Sequence, residues 1–530
     1  MMQLTRRGFL TAAAGLAVTG LGQAQESRKP NVLFIAVDDL RPLLGCYGVP
    51  WVQTPNIDRL AARGAVFTRA YCQDSVCSPS RTSVLTGLRP DTTRIYDNAT
   101  HFRVYNPEAV TLPQHFRAHG YHTQAAGKIY HSCFEEAYVG RTLDDPPSWS
   151  APAWFAPPQY YHTEEGMRVA RDVYARRPNC AFGSGCIHNR LQEPAPEGSV
   201  DRSPAALDRW KEHFIQGELF EAPDVPDDVP HDGQVATRAV GLLEERAGSG
   251  QPWFLAVGFM KPHTPYVAPK KYWDLYDPAL LPLVDQEAPV GASPLAILAQ
   301  HDHLAYSGAP GEGRLDDATA RKVVHGYAAC VSYMDAQVGR VLDALEALGQ
   351  AQQTTVVFWG DHGFHLGEQG RWGKQTCYET GTRAPLIIAA PGTPAGERRG
   401  LAELLDIYPT LCEVAGLPIP GALQGQSLLP ALEQPGHPGK SAAFSQFPNP
   451  VRVSAPEIKP QPGDTMGNSV RTDRYRLTIW RDVLSPHQER AVELFDYEQD
   501  PLERNNLAQN PAYADPLQML RNHLTDLTKA

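Results

Sequence analysis

No Cys-x-x-Cys pair occurs among the nine cysteines of this 530-residue chain, so neither a zinc ribbon nor a thioredoxin-like redox centre is expected. Positive charge is also in deficit: 48 Lys and Arg against 59 Asp and Glu leave a formal charge of −11. That balance argues against a general binder of nucleic acid or other polyanions, and any affinity for an anion has to come from a local cationic pocket. Internal repeats and low-complexity tracts are absent. The apolar N-terminal stretch from Thr11 to Gly20 is too short to span a bilayer, so no stable membrane span is expected.

What the chain does have is enough apolar material, 42% of its residues, for a large domain plus a smaller one. Its 44 Gly and 47 Pro point to long, turn-rich connections. At the N-terminus, Thr5-Arg6-Arg7-Gly8-Phe9-Leu10 ahead of the short apolar run resembles a twin-arginine export signal, with small residues near Gln23-Ala24 as a cleavage point. Residues 1–24 are therefore expected to be removed, with an uncleaved tether as the alternative. The expected location is periplasmic or secreted, and the export machinery is an expected partner. Such a route carries folded protein, which would let cofactor loading or cysteine oxidation finish in the cytoplasm.

Asn31 to Val37 is a continuous apolar run, as in a strand buried on both faces of a parallel sheet, and it ends in Asp38 and Asp39. The same layout returns three times. Tyr121 to Gly127 leads to Lys128 and His131, Trp253 to Phe259 to Lys261 and His263, and Thr354 to Trp359 to Asp361 and His362. Helices are expected over Pro55 to Gly64, Leu112 to His119, Val235 to Arg246, Arg321 to Leu348 and Leu404 to Ala415, with a further strand over Ala384 to Ala390. Residues 132–230 show no clear periodicity and read as an insertion able to roof a site. A Pro/Gly-rich link from Pro418 to Lys440 separates a second region, in which Ser469 to Trp480 alternates like an antiparallel strand and a terminal helix lies near Pro516 to Leu527. The fold class is α/β: a large, mostly parallel sheet flanked by helices in residues 25–420, then a smaller α+β subdomain with an antiparallel sheet in 421–530. Strand tips of one parallel sheet collect at a single edge, where adjacent carboxylates repel unless a cation holds them.

One more stretch belongs at that edge. In Cys77-Ser78-Pro79-Ser80-Arg81-Thr82-Ser83-Val84-Leu85-Thr86-Gly87 a cysteine precedes an arginine by four residues at the mouth of a helix, with proline in the first turn and glycine at the stop. Free N–H groups and the dipole make such a mouth attractive to an anion, and Arg81 adds a permanent charge. Taken alone, the motif reads equally as a buried structural cysteine beside a capped helix.

With Val37-Asp38-Asp39-Leu40-Arg41-Pro42, Gly127-Lys128-Ile129-Tyr130-His131, Lys261-Pro262-His263-Thr264-Pro265, Gly360-Asp361-His362-Gly363, Leu366-Gly367-Glu368 and Lys374 following in order, the chain resembles the type I sulfatases. It is most similar to the iduronate-2-sulfatase branch, within the alkaline-phosphatase-like superfamily. The resemblance implies hydrolysis of sulfate esters on carbohydrates, with a 2-O-sulfated uronate as the expected substrate. It implies that Cys77 is oxidised to formylglycine by a formylglycine-generating enzyme, a second expected partner. It further implies one Ca2+ held by Asp38, Asp39, Cys77, Asp361 and His362. Many sulfatases carry asparagine where His362 stands, and imidazole is an unusual donor for calcium. The implied catalytic groups are Cys77, Arg81, Lys128, His131, His263 and Lys374. In this scheme His263 serves the departing alcohol and His131 the release of sulfate. His122, His325 and His365 match no family position and read as packing or surface residues.

Conversion of Cys77 would leave eight cysteines, a parity that suits an oxidising compartment; Cys180 and Cys186 are the first expected pair. Two other classes stay open: a phosphonate or phosphate ester hydrolase of the same superfamily, and a sulfated-glycan binding protein without catalysis.

Overall fold

The uninterrupted apolar segments fold as the strands of one sheet. The computed structural model describes residues 29–98, 100–132, 144–157, 159–176, 217–297, 303, 306–309, 313–451 and 460–527. The expected N-terminal signal, Cys133 and the expected Cys180–Cys186 pair lie outside the described residues; the six described cysteines are free.

The large sheet contains β1 (Asn31–Val37), β2 (Ala65–Tyr71), β3 (His122–Gly127), β4 (Trp253–Phe259), β5 (Thr354–Gly360), β6 (Arg383–Ala389), β7 (Gly396–Arg398) and β8 (Ala402–Glu403). Their spatial order is β7-β2-β6-β5-β1-β4-β3, with β8 also paired to β2. Only β6 runs against the rest, being antiparallel to both β2 and β5. Strands β1, β4 and β5 are buried at every position, which is why their sequences are apolar without alternation. Leu33, Ile35 and Val37 of β1 enter one core layer, while Val32, Phe34 and Ala36 enter the other.

Helices cover both faces: α1 (Pro55–Ala61), α2 (Cys77–Thr86), α3 (Leu112–Ala118), α4 (Glu164–Arg176), α5 (His231–Arg246), α6 (Asp317–Ala347) and α7 (Ile407–Val414). Residues of α1, α5 and α6 pack into the first layer; those of α2, α3 and α7 pack into the second.

The second sheet is an antiparallel meander of β9 (Ala443–Asn449), β10 (Thr465–Arg471), β11 (Tyr475–Asp482) and β12 (Glu489–Asp496). Helix α8 (Ala514–Leu527) closes it through Leu520 and Leu524. The alternating stretch from Ser469 to Trp480 is therefore not one strand but a hairpin. The chain turns at Thr472 to Arg474, where the Thr472 N–H donates to the Tyr475 carbonyl at 2.8 Å. Val470 pairs directly with Leu477, so the inward-facing positions change from even to odd across the polar run Arg471-Thr472-Asp473-Arg474, and that break in phase is the turn.

The insertion also differs from its aperiodic reading. It holds α4 and a two-residue strand, Phe220–Glu221, paired with Tyr266–Val267. Tyr160 and Tyr161 are buried there against Met260 and Val267, beyond the carboxyl end of β4. No helix among the described residues is long and apolar enough to cross a membrane.

Candidate active site

The strand register sets the site. Gly127 lies level with Gly258, and Val37 lies level with both Phe259 and Gly360. The ladder runs one residue past the strands: Asp38 N–H donates to Phe259 O at 3.1 Å, Asp361 N–H to Val37 O at 3.2 Å and Lys128 N–H to Gly258 O at 3.0 Å. Side chains that are distant in sequence thus leave the sheet side by side. Asp39 then turns into the left-handed region, with φ 58°. Its N–H is held by Asp361 Oδ1 at 3.0 Å and its carbonyl by the Tyr327 hydroxyl of α6 at 2.7 Å.

Helix α2 starts at Cys77, directly after the loop leaving β2, and stops at Gly87 with φ 68°. Arg81, one turn on, faces the same way as Cys77. Its guanidinium has no accessible surface and ties three strand ends together: Nε to Asp361 Oδ2 at 2.9 Å, Nη2 to Asp38 Oδ1 at 3.2 Å, and Nη1 to the carbonyls of Lys128 and Ile129 at 2.7 and 3.1 Å. Its hydrogen bonds are thus committed to the site itself, so toward an anion Arg81 offers charge rather than a direct clamp. Ser80 adds a hydroxyl bond to the Asp361 carbonyl.

Two lysines face the carboxylates. Lys128 Nζ reaches Asp38 Oδ2 at 2.5 Å. Lys374 Nζ donates to Asp39 Oδ1 and lies 3.1 Å from Cys77 Sγ. On the other side, Cys77 Sγ lies 3.3 Å from His362 Nε2. The His362 Nδ1 is 2.9 Å from the Gly363 carbonyl, which can only accept; in the neutral ring Nε2 therefore keeps its lone pair. That nitrogen is 3.4 Å from Asp39 Oδ1 and 3.6 Å from Asp361 Oδ1.

A divalent cation fits this set. Ligand atoms of Asp39, Cys77 and His362 all lie within 4.8 Å of one another, as do those of Asp38, Cys77 and Asp361. Asp39 Oδ2 is buried without a hydrogen-bond partner, a position a cation would satisfy. Three carboxylates among the donors suit a hard ion.

Burial alone would raise the Asp38 carboxyl, but Lys128, His263, Arg81 and Lys374 outweigh it and hold the group well below its usual range. Burial is likewise overcome at Asp39, here by His263 and Lys374. Burial pushes the Cys77 thiol well up despite Lys374 beside it, so an unmodified Cys77 is a poor source of thiolate.

His263 and His131 stand further out. His263 Nδ1 is bonded to the Thr264 carbonyl at 2.6 Å, and its Nε2 lies 3.8 Å from Asp39 Oδ2. Its side chain stays 23% exposed, the open flank of the site. Burial lowers its pKa, against the pull of Asp39. His131 is depressed well below the ordinary value, by burial first and then by Lys128.

Every sequence-predicted site residue therefore lies at or beside the same sheet edge. His122, His325 and His365 instead bond to Gln124, to the Trp273 carbonyl, and to Thr376 with the Glu368 carbonyl. Sequence reasoning missed Tyr327 and Asp232. Tyr327 sits on a helix whose apolar periodicity was legible, while Asp232 lies in a first turn ahead of the helix expected from Val235, and a lone polar residue facing inward carries no signal of its own.

Comparison with known proteins gives a concordant result. A family model described as "Sulfatase" matches residues 30–417, and one for the N-sulphoglucosamine sulphohydrolase C-terminal region matches residues 367–530. The chain is 34% identical over 552 residues to the iduronate 2-sulfatase of Homo sapiens, covering 92% of this chain and 93% of that protein. It is 30% identical over 516 residues to a sulfatase of Formosa agariphila, covering 94% and 86%. The solved phosphonate monoester hydrolase of Agrobacterium radiobacter shares the fold, with a TM-score of 0.69 at 22% identity over 94% of this chain and 96% of that one.

Proposed function

Because this chain belongs to the sulfatase family and is a sulfuric ester hydrolase of alkaline-phosphatase-like fold, we propose that it is an exported enzyme removing sulfate from carbohydrates, with a 2-O-sulfated uronate as substrate. The observation that carries this reading is the enclosure of Cys77 Sγ by Lys374 at 3.1 Å, His362 at 3.3 Å and Asp39 Oδ1 at 3.7 Å, at the edge where Lys128 and Arg81 also point.

In this reading Cys77 is converted to formylglycine, which as its hydrate supplies a hydroxyl nucleophile in place of a thiol that resists ionisation. Asp38, Asp39, Asp361 and His362 would hold one Ca2+ beside it, and such an ion would offset the charge of the sulfate ester and acidify a neighbouring hydroxyl. Lys128, Lys374 and Arg81 add fixed positive charge where negative charge spreads over the sulfuryl oxygens. With Nδ1 committed to the Thr264 carbonyl, His263 presents Nε2 on the exposed flank; in the imidazolium form, which the Asp39 charge favours, Nε2 carries the proton given to the departing alcohol. His131, kept neutral by burial and Lys128, accepts the proton whose loss releases sulfate. The iduronate 2-sulfatase relative supports the uronate assignment.

The test pairs nitrophenyl sulfate with nitrophenyl phosphate, then compares uronide oligosaccharides carrying 2-O-sulfate with those carrying 6-O-sulfate. Faster turnover of the sulfate ester and of the 2-O isomer is expected. A strong phosphate preference would establish the phosphonate or phosphate hydrolase reading that the shared fold allows. Cys77→Ala should remove activity, and mass analysis of the Cys77 peptide should show the aldehyde. Unchanged turnover by the alanine variant sinks the nucleophile assignment.

A further inference from the structure

Asp232 lies in the first turn of α5, where an acidic residue is ordinary because it complements the helix dipole. Its carboxylate, however, faces the tip of β4. Oδ1 accepts the Met260 N–H at 2.9 Å and Oδ2 accepts the Lys261 N–H at 2.8 Å, while His231 Nδ1 lies 3.0 Å from Oδ1. The group is buried, with 1% of the residue exposed. A carboxylate bridging two successive amides fixes the direction in which the chain leaves the strand.

Lys261 continues the same work. Its ammonium, also buried, turns back along the loop and donates to the His263 carbonyl at 2.9 Å and the Pro265 carbonyl at 2.6 Å. The Lys261 ammonium also lies 5.5 Å from the centre of the Tyr160 ring, and the Tyr160 hydroxyl meets Met260 sulfur at 3.0 Å. Asp232 thus holds the start of the Met260–Pro265 loop and Lys261 holds its far half, with His263 between them.

We propose that Asp232 and Lys261 are positioning residues for His263, setting the direction of its Nε2 toward the leaving-group oxygen. The inference rests on the reading of His263 as the acid that protonates the departing alcohol. Neither side chain touches substrate; both act through the backbone that carries the imidazole.

The experiment uses the full-length enzyme and two sulfate esters. Nitrophenolate leaves without a proton, whereas a sugar alkoxide needs one, so misplacing His263 should penalise the sugar ester selectively. Asp232→Asn is expected to lose roughly 10²-fold in kcat on the sulfated sugar, with little change in KM and only a small loss on nitrophenyl sulfate. Lys261→Met, which keeps the stem and removes the donors, should show the same selectivity and stands in if the Asp232 variant fails to fold. In a His263→Ala background neither substitution should add a further loss. Equal losses on both esters, or additive losses in that background, overturn the positioning role while leaving the sulfatase reading intact. A wild-type enzyme inactive on both sulfate esters overturns that reading, and this inference with it.

Discussion

Asp39 is the residue in which the site's demands conflict most openly. Its backbone sits at φ 58°, a region non-glycine residues visit at a cost of about 1–3 kcal/mol. One carboxylate oxygen is bound by Lys374, and the other is buried without a hydrogen-bond partner. Such a residue is held in place by its surroundings for what it binds. Removing divalent cations with a chelator is therefore expected to abolish activity and lower the melting temperature, and calcium should restore both; a protein indifferent to chelation would refute the metal site. At this scale the sequence was informative about identity and silent about geometry. Asp38, Asp39, Asp361 and Cys77 could be named because strand tips and the cysteine motif announce them. That Arg81 would bind two carboxylates and two carbonyls could not, since these partners come from three different strand ends.

Among elements, the parallel strands were legible because burial on both faces demands unbroken apolar runs. The β10–β11 hairpin was not, because its polar turn from Arg471 to Arg474 is short enough to pass for the exposed positions of a single strand. Two glycines at the strand ends matter more than their small size suggests. A Cβ at Gly258 would lie 2.0 Å from the Lys128 carbonyl oxygen, and one at Gly127, where φ is 79°, 2.1 Å from the Gly258 carbonyl oxygen. The Lys128 carbonyl is the group that Arg81 binds. Gly258→Ala should therefore destabilise the protein by about 1–3 kcal/mol and reduce activity, because relieving the clash pulls β3 and the Arg81 anchor apart. Denaturant unfolding together with turnover checks this; a variant of wild-type stability would mean that the strand ends tolerate displacement.

For the whole molecule, a change of character near residue 420 was visible, but the contact across it was not. The C-terminal sheet grips the segment that follows Lys374. Glu379 Oε2 meets Arg476 at 2.7 Å and Arg471 at 3.2 Å, while Glu503 accepts the Glu379 N–H at 2.8 Å and pairs with Arg476 at 3.0 Å. Burial would raise Glu379, but Arg471 and Arg476 hold it down to about 2. Burial, and then the Glu379 charge, push Glu503 up to about 7 against Arg476. The two act oppositely on stability. Glu379 stabilises above its unfolded pKa, an effect lost as pH falls toward about 2. Glu503 binds its proton more tightly when folded, so its contribution is complete below 4.5 and is lost as pH rises through about 7. Glu503→Gln should accordingly flatten the decline of melting temperature between those two pH values relative to the wild type. An unchanged slope would show that Glu503 does not titrate in that window.

The total burial of Cys77 also imposes an order of events. Any enzyme that oxidises this side chain has to seat the surrounding peptide in its own cleft, and the folded chain presents no such peptide. Under the proposed conversion of Cys77, oxidation and folding are thus rivals for the same few residues, and whichever comes first decides the outcome. A polypeptide that folds early traps its sulfur behind Lys374 and His362, so specific activity becomes a record of how the race was run in the cell rather than a constant of the sequence.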